Sequence, residues 1–113
     1  MTAAGNGAET LSPRLIENYF RSLVNRVYKI LPMREDGTES LGKYLWRLEA
    51  ELIGSEGLSS DVREDAYYGS LLNVVHYLVG HWQECSVDQV RQLVFDGISL
   101  CVKLRERYAE GGG

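Results

Sequence analysis

The sequence predicts an all-α fold, an antiparallel up-down four-helix bundle, on three observations. Four stretches carry apolar residues at offsets of three and four, a spacing that places them on one side of a helix. Proline, glycine and capping residues separate these stretches into ordinary helical lengths. The connections are short, which favours antiparallel neighbours that shield each other's apolar sides from water.

The composition indicates one domain. The chain has 113 residues, of which 44% are hydrophobic and 25% are charged, as is usual for a single globular unit. We predict that residues 12–109 form the bundle. Residues 1–11 and 110–113 are mostly small or polar and lack apolar periodicity, so we expect them to be disordered tails.

The first predicted helix begins with Ser12 as its N-cap and Pro13 at its first position, where the missing N–H of proline costs nothing. It is expected to run to about Leu31 and to be stopped by Pro32. Residues 33–38 contain Asp-Gly and predict a surface turn. The inward residues of this helix are Leu15, Ile16, Tyr19, Phe20, Leu23, Val24, Val27, Tyr28 and Leu31.

The second predicted helix starts near Ser40. It ends at Gly54, which is expected to adopt the left-handed conformation common at helix C-termini. Leucines spaced by three and four residues are typical of a core-facing stripe. The inward residues are Leu41, Tyr44, Leu45, Leu48 and Leu52.

The third predicted helix opens with a capping box formed by Asp61 and Glu64 and reaches about Gln83. The pattern leaves open whether this helix continues unbroken through Gly80. Its inward residues are Tyr67, Tyr68, Leu71, Leu72, Val74, Val75, Leu78, Val79 and Trp82.

The fourth predicted helix opens with a second capping box, formed by Ser86 and Gln89. It is expected to end before the terminal glycines, which favour the unfolded backbone. Its inward residues are Val87, Val90, Leu93, Val94, Ile98, Cys101, Leu104 and Tyr108.

Charge and cysteine content indicate the compartment. The net charge of −4 argues against attraction of the whole molecule to nucleic acid or to an anionic membrane. Two cysteines, Cys85 and Cys101, are too few for a disulfide-stabilised secreted domain, so we expect free thiols. The first residues lack the basic start and apolar run of a signal peptide. These features predict a cytoplasmic protein.

The sequence offers no residue set typical of catalysis or cofactor binding. His76, His81 and Cys85 form one metal-type cluster, but His76 is spaced so that it points elsewhere, and no carboxylate matches the other two. Cys101 lies on an apolar helix face and is expected to act as a small hydrophobic residue. We therefore predict no enzymatic activity, no metal site and no cofactor.

Five apolar residues beside the core stripes are the predicted apolar partner-binding residues. Trp46 and Ile53 are seven residues apart on the second predicted helix. Phe95 and Val102 have the same spacing on the fourth, and Tyr77 flanks the stripe of the third. A second apolar edge suits a partner helix or a second copy of the chain. The alternative is a broad stripe that is buried in a larger core.

The first predicted helix also carries a polar and basic row along one edge, which we call the basic row. Donors in such a row are suited to phosphate or to a carboxylate-rich partner. The alternative is a solvated face whose cations pair with acids on neighbouring helices. The row consists of Arg14, Asn18, Arg21, Asn25 and Lys29.

The segment from Tyr19 to Gly54 contains Tyr-Phe-Arg-Ser-Leu-Val-Asn-Arg-Val-Tyr-Lys-Ile-Leu-Pro-Met-Arg-Glu and Tyr-Leu-Trp-Arg-Leu-Glu-Ala-Glu-Leu-Ile-Gly. It resembles small uncharacterised all-helical proteins of bacterial genomes and mobile elements. The resemblance implies a bacterial or phage origin and a compact helical domain. It brings no catalytic or binding residues.

These patterns predict a non-catalytic adaptor or regulatory domain that binds another protein, or a second copy of itself, through its apolar edges. The alternative is a nucleic-acid-associated accessory protein that uses the basic row. Salt distinguishes the two, because phosphate binding weakens steeply with added salt whereas apolar contacts barely respond.

Overall fold

The computed structural model describes residues 13–54, 62 and 64–111. Within these ranges the secondary structure is helical without strands, so the predicted all-α class is confirmed. None of the helices in these ranges combines the length and apolar composition that crossing a bilayer requires. The helices are α1 (Pro13–Tyr28), α2 (Ile30–Glu35), α3 (Leu41–Ile53), α4 (Ala66–His81) and α5 (Val87–Gly111).

The four long helices and the short α2 pack around one apolar core. α5 has the widest contact with α1 and also packs against α2 and α4, while α3 packs against α4. A helix cannot bury its apolar stripe alone, so the fully buried side chains come from every one of these helices. The largest of them are Phe20, Leu23, Ile30, Leu41, Leu45, Leu52, Leu71, Leu78 and Leu104.

The prediction that Pro32 stops the first helix was wrong. The chain turns at Lys29 and then continues as α2, in which Pro32 is the third residue. The N–H groups of a first helical turn have no acceptor within the helix, so a proline there removes no hydrogen bond. Ile30 and Leu31 are buried, and α2 therefore adds to the core.

The predicted turn at Asp36 and Gly37 is confirmed, although it begins later than expected because residues 33–35 are helical. Gly37 has a φ of +68°, which is the left-handed region that favours glycine. Its N–H donates to the carbonyl of Arg34 at 3.1 Å, and the next N–H donates to the carbonyl of Met33 at 3.0 Å. This pair of bonds is a Schellman motif, and it ends α2.

Gly54 follows α3 as predicted, but its predicted left-handed conformation was wrong. Its φ is −93° and its ψ is 16°, and its N–H donates to the carbonyl of Ala50 at 2.9 Å. The glycine therefore completes the last helical hydrogen bond, and no left-handed residue is needed there. The predicted stripe of this helix is confirmed, since Leu41, Leu45, Leu48 and Leu52 are buried.

α4 is capped by Asp65, not by the predicted Asp61, which lies outside the described residues. The backbone of Asp65 is extended, and its side chain accepts a hydrogen bond from the N–H of Tyr67 at 2.8 Å. Such a cap satisfies one of the free N–H groups of the first turn. The helix is continuous through Gly80 and ends at His81, two residues earlier than expected.

The capping box predicted for α5 is confirmed. The N–H of Ser86 donates to the Gln89 side chain at 2.8 Å, and the N–H of Gln89 donates to the Ser86 hydroxyl at 3.1 Å. Each residue thus satisfies one free backbone donor of the other. The helix extends to Gly111, into the segment that was expected to be a tail.

Two members of the first apolar stripe are not in the core. Leu15 is 54% exposed and Tyr28 is 52% exposed, so their predicted inward position was wrong. Nine residues span a wider arc than one helix buries, and the residues at the margins of that arc face solvent. The buried members are Ile16, Phe20, Leu23, Val27 and Leu31.

Gly97 allows α5 to approach two other helices closely. A Cβ atom at this position would lie 3.2 Å from Val27 of α1 and 3.8 Å from Leu71 and Val74 of α4. A leucine at Gly97 is expected to lower the free energy of unfolding by about 1–3 kcal/mol, because the packed core has no room for it. Chemical denaturation measures this loss.

The matched control is Gly69→Leu in α4. Gly69 is exposed, and a Cβ there would meet no atom within 4 Å. Leucine is a better helix former than glycine, so this variant is expected to be as stable as the parent or more stable. Equal destabilisation by both variants would contradict close packing at Gly97.

Candidate partner-binding surface

The cluster His76, His81 and Cys85 does not converge in the structure. His76 lies on α4 against Glu49 of α3. The ring of His81 stacks on Tyr77 at 4.2 Å, and its Nδ1 lies 3.0 Å from the Tyr77 carbonyl. Among the described residues, no group of three or more His, Cys, Asp or Glu side chains is placed to hold a metal ion.

Both cysteines are free and buried. Cys101 lies in the core between the helices, and burial raises the pKa of its thiol to about 12. The thiol is therefore protonated at neutral pH and behaves as the small hydrophobic residue that the sequence predicted.

Four of the five predicted apolar partner-binding residues are large side chains exposed to solvent. Trp46 is 62% exposed, Ile53 58%, Phe95 49% and Tyr77 46%, whereas Val102 is half-buried. Contiguous groups of large apolar side chains at such exposure mark interaction sites.

The five residues lie at three different borders between helices. Trp46 and Ile53 flank Glu49 on α3, and Glu49 contacts His76, so this pair lies at the border with α4. Ala50 lies between them along the same edge and is also exposed. Their edge of α3 is thus a continuous apolar strip of Trp46, Ala50 and Ile53.

Tyr77 lies instead at the border between α4 and α5. It lines a cavity of about 250 Å³ with Cys85, Gln89, Gln92 and Leu93. The amides of Gln89 and Gln92 are engaged by Ser86 and Asp96.

Phe95 and Val102 lie on the side of α5 that carries Arg91, because offsets of four and eleven residues share a helix face. Arg91 contacts Glu35 of α2 at 3.4 Å, which places this side toward α1 and α2. The predicted apolar residues therefore form separate patches, of which the strip on α3 is the most exposed.

The basic row is exposed along its whole length, as Arg14, Asn18, Arg21, Asn25 and Lys29 all face solvent. Arg21 pairs with Glu17 of its own helix at 3.0 Å. The ammonium of Lys29 lies 5.9 Å from the ring centre of Tyr44, which places the Lys29 end of the row beside α3. The alternative, in which the cations of the row pair with acids on neighbouring helices, is not found among the residues that the structure covers.

Sequence reasoning missed a polar cluster between α1 and α3. Arg26 donates to Glu51 at 2.5 Å, and the hydroxyl of Tyr19 donates to the same carboxylate at 3.0 Å. The hydroxyl of Tyr44 donates to the backbone carbonyl of Arg26 at 2.7 Å. The hydrogen bond from Arg26 holds the pKa of Glu51 below its ordinary value, and burial raises the pKa of Tyr19. This cluster joins the two helices and keeps Glu51 charged.

A second cluster forms around Asp65 and was also missed. Its carboxylate accepts from Arg107 at 2.5 Å and from the hydroxyl of Tyr108 at 2.9 Å, besides the N–H of Tyr67. The guanidinium of Arg107 also lies 4.6 Å from the ring centre of Tyr67. The cluster fastens the end of α5 to the start of α4.

No protein-family model, curated protein or solved structure matches this chain. The bacterial or phage origin implied by the resemblance therefore stays a prediction.

Proposed function

We propose that this protein is a non-catalytic, cytoplasmic adaptor or regulatory domain that binds another protein through an exposed apolar edge. The observation that carries the proposal is the strip of Trp46, Ala50 and Ile53 on α3, whose two large side chains are 62% and 58% exposed. Aromatic and aliphatic anchors of this kind dominate the energy of protein interfaces. A second copy of the chain is the other protein partner that fits such an edge.

We also propose that the four long helices run up and down as an antiparallel bundle. Contacts between α3 and α4 support this, since Leu52 contacts Tyr68 while Gly42 lies beside Trp82. Contacts between α4 and α5 follow the same order, with Tyr67 near Lys103 and Tyr77 beside Leu93. In each pair, residues later in one helix meet residues earlier in the next.

The double variant Trp46→Ser/Ile53→Ser tests the proposed function. In affinity purification from the cells of origin, we expect the parent to capture a partner protein and the variant to capture none, because the variant lacks the apolar anchors. If the partner is a second copy, sedimentation velocity is expected to show that the parent self-associates and the variant does not.

The matched control is Tyr77→Ser/Phe95→Ser, which removes two exposed aromatic side chains that lie outside the strip on α3. This control is expected to keep the partner. The proposal fails if the variant in α3 keeps every interaction of the parent, or if both double variants lose the partner equally.

The basic row supports a second candidate, a nucleic-acid-associated accessory protein. Its favourable observation is that Arg14, Arg21 and Lys29 are exposed along one edge of α1. Against it stands the net charge of −4, which repels a long polyanion. We rank it second for that reason.

A further inference from the structure

We propose that the outer face of α1 and α3 binds an acidic amphipathic helix of another protein, with its carboxylates on Arg14, Lys29, Lys43 and Arg47 and its apolar side on Trp46. This inference rests on the proposed function, and it names the chemistry of the partner and the side from which it docks. We call this surface the α1–α3 face.

The charge on the α1–α3 face is the first argument. Residues 13–29 and 41–53 carry six cations and three acids, a net charge of +3, whereas the rest of the chain has a net charge of −7. One of the three acids pairs with an exposed cation of the face, and the other two contact Arg26 and His76, which are not among the cations proposed to bind the partner. The acids Glu17, Glu49 and Glu51 pair with Arg21, His76 and Arg26, respectively.

Four cations of the face have no acid partner among residues 14–54, 62 and 64–108. These side chains are exposed, and the ion pairs found in that part of the chain leave them out. Unpaired guanidinium and ammonium groups on one surface favour a ligand that supplies carboxylates. The four are Arg14, Lys29, Lys43 and Arg47.

Lys29, at the end of α1, lies beside α3. Lys29 reaches over Tyr44 of α3, and Tyr44 in turn bonds to the backbone of Arg26 in α1. Lys43 and Arg47 are four residues apart, so they share the exposed side of α3. The cations are thus carried by two helices that contact each other through side chains, instead of following a single helix.

The apolar strip on α3 is the second argument. Trp46 lies next to Arg47 in sequence and three residues from Lys43, so apolar and basic groups adjoin on α3. The face is therefore basic toward α1 and apolar toward α4. An amphipathic helix with one acidic and one apolar side matches this division.

The length of the face and the apolar strip favour a peptide over nucleic acid. α3 has 13 residues and is about 20 Å long, which accommodates three to four turns of a partner helix. A phosphate backbone would contact the cations but would leave Ile53 and Trp46 without apolar contact. A long polyanion would also meet the acidic remainder of the molecule.

The test uses a synthetic helix of about 14 residues, with leucines on one side and glutamates on the other, titrated into the full chain by calorimetry. One control peptide has the same composition in scrambled order. A second control peptide keeps the order but has lysine in place of each glutamate. A short DNA duplex is the third control. We expect the acidic amphipathic peptide to bind about tenfold more tightly than the scrambled peptide, and more weakly as salt is added.

Two variants and one control locate the binding. Lys43→Glu/Arg47→Glu and, separately, Trp46→Ala are each expected to weaken peptide binding about tenfold. The control is Lys103→Glu, since Lys103 is an exposed cation of α5 that lies over Tyr67. This variant is expected to change binding by less than about twofold. Circular dichroism checks that each variant is folded.

Three results would overturn the inference: equal binding of the lysine peptide, unchanged binding after charge reversal in α3, or tighter binding of the DNA duplex. If one of these results were found but Trp46→Ser/Ile53→Ser still lost the natural partner, the proposed function would stand. Retained capture by that variant would remove the proposed function itself.

Discussion

Replacement of Phe20 by alanine is expected to lower the free energy of unfolding by about 3–5 kcal/mol. The side chain is fully buried, and its ring meets Tyr19 edge-on at 5.4 Å and Tyr68 at 6.3 Å. Truncation leaves a cavity where α1 meets the core and removes both aromatic contacts. Chemical denaturation followed by circular dichroism measures the change.

Phe95→Ala is the control for this prediction, because it removes the same side chain from a position that is 49% exposed. Its expected effect is within about 0.5 kcal/mol. If the two phenylalanine variants lost similar stability, Phe20 would not be the centre of the core, and the packing of α1 would need revision.

Replacement of Asp65 by alanine is expected to cost about 2–3 kcal/mol of stability. The variant removes the N-cap of α4 and leaves the Tyr108 hydroxyl and the N–H of Tyr67 without their acceptor. The control is Asp88→Ala, whose carboxylate is 88% exposed and pairs with Arg91 at 2.7 Å. Exposed pairs contribute little, so the control should lose less than about 1 kcal/mol.

The pH dependence of stability separates the charge of Asp65 from its role as a cap. Burial of this carboxylate acts to raise its pKa, but hydrogen bonds from Tyr67, Tyr108 and Arg107 outweigh burial and hold the pKa below its ordinary value. A lowered folded-state pKa stabilises the protein above the unfolded value of about 3.9, and this stabilisation is lost as the pH falls through the folded value.

Asp65→Asn isolates that contribution, since asparagine also serves as an N-cap. We expect it to be more stable than Asp65→Ala at neutral pH and less stable than the parent. The difference from the parent should shrink below about pH 3.9. A difference that stays constant down to low pH would show that the carboxylate charge contributes nothing.

Several helix boundaries could be predicted because their signals are local. The capping box of Ser86 and Gln89 and the turn at Gly37 depend on residues a few positions apart, and both were found as expected. Pro32 was misinterpreted because its effect depends on where the next helix begins. In the first turn of α2 a proline is harmless, whereas in a helix interior it is disruptive.

The candidate surface was only partly accessible from the sequence. Spacing identified Trp46 and Ile53 as residues beside the core stripe, but it could not tell a broad buried stripe from an exposed one. The neighbouring helices decide that question, because the packed fold buries Leu48 and Leu52 and leaves Trp46 in solvent. The polar contacts of Glu51 and Asp65 join residues 25 to 43 positions apart, and no local pattern indicates such pairs.

The sequence by itself determined the helical class and most of the core, since apolar spacing and capping residues act within one or two helical turns. Tertiary structure alone decided which flanking side chains stay exposed, which acids pair across helices, and which cations have no acid partner among the described residues. The physical reason is that burial and ion pairing depend on what the neighbouring helix places opposite each side chain.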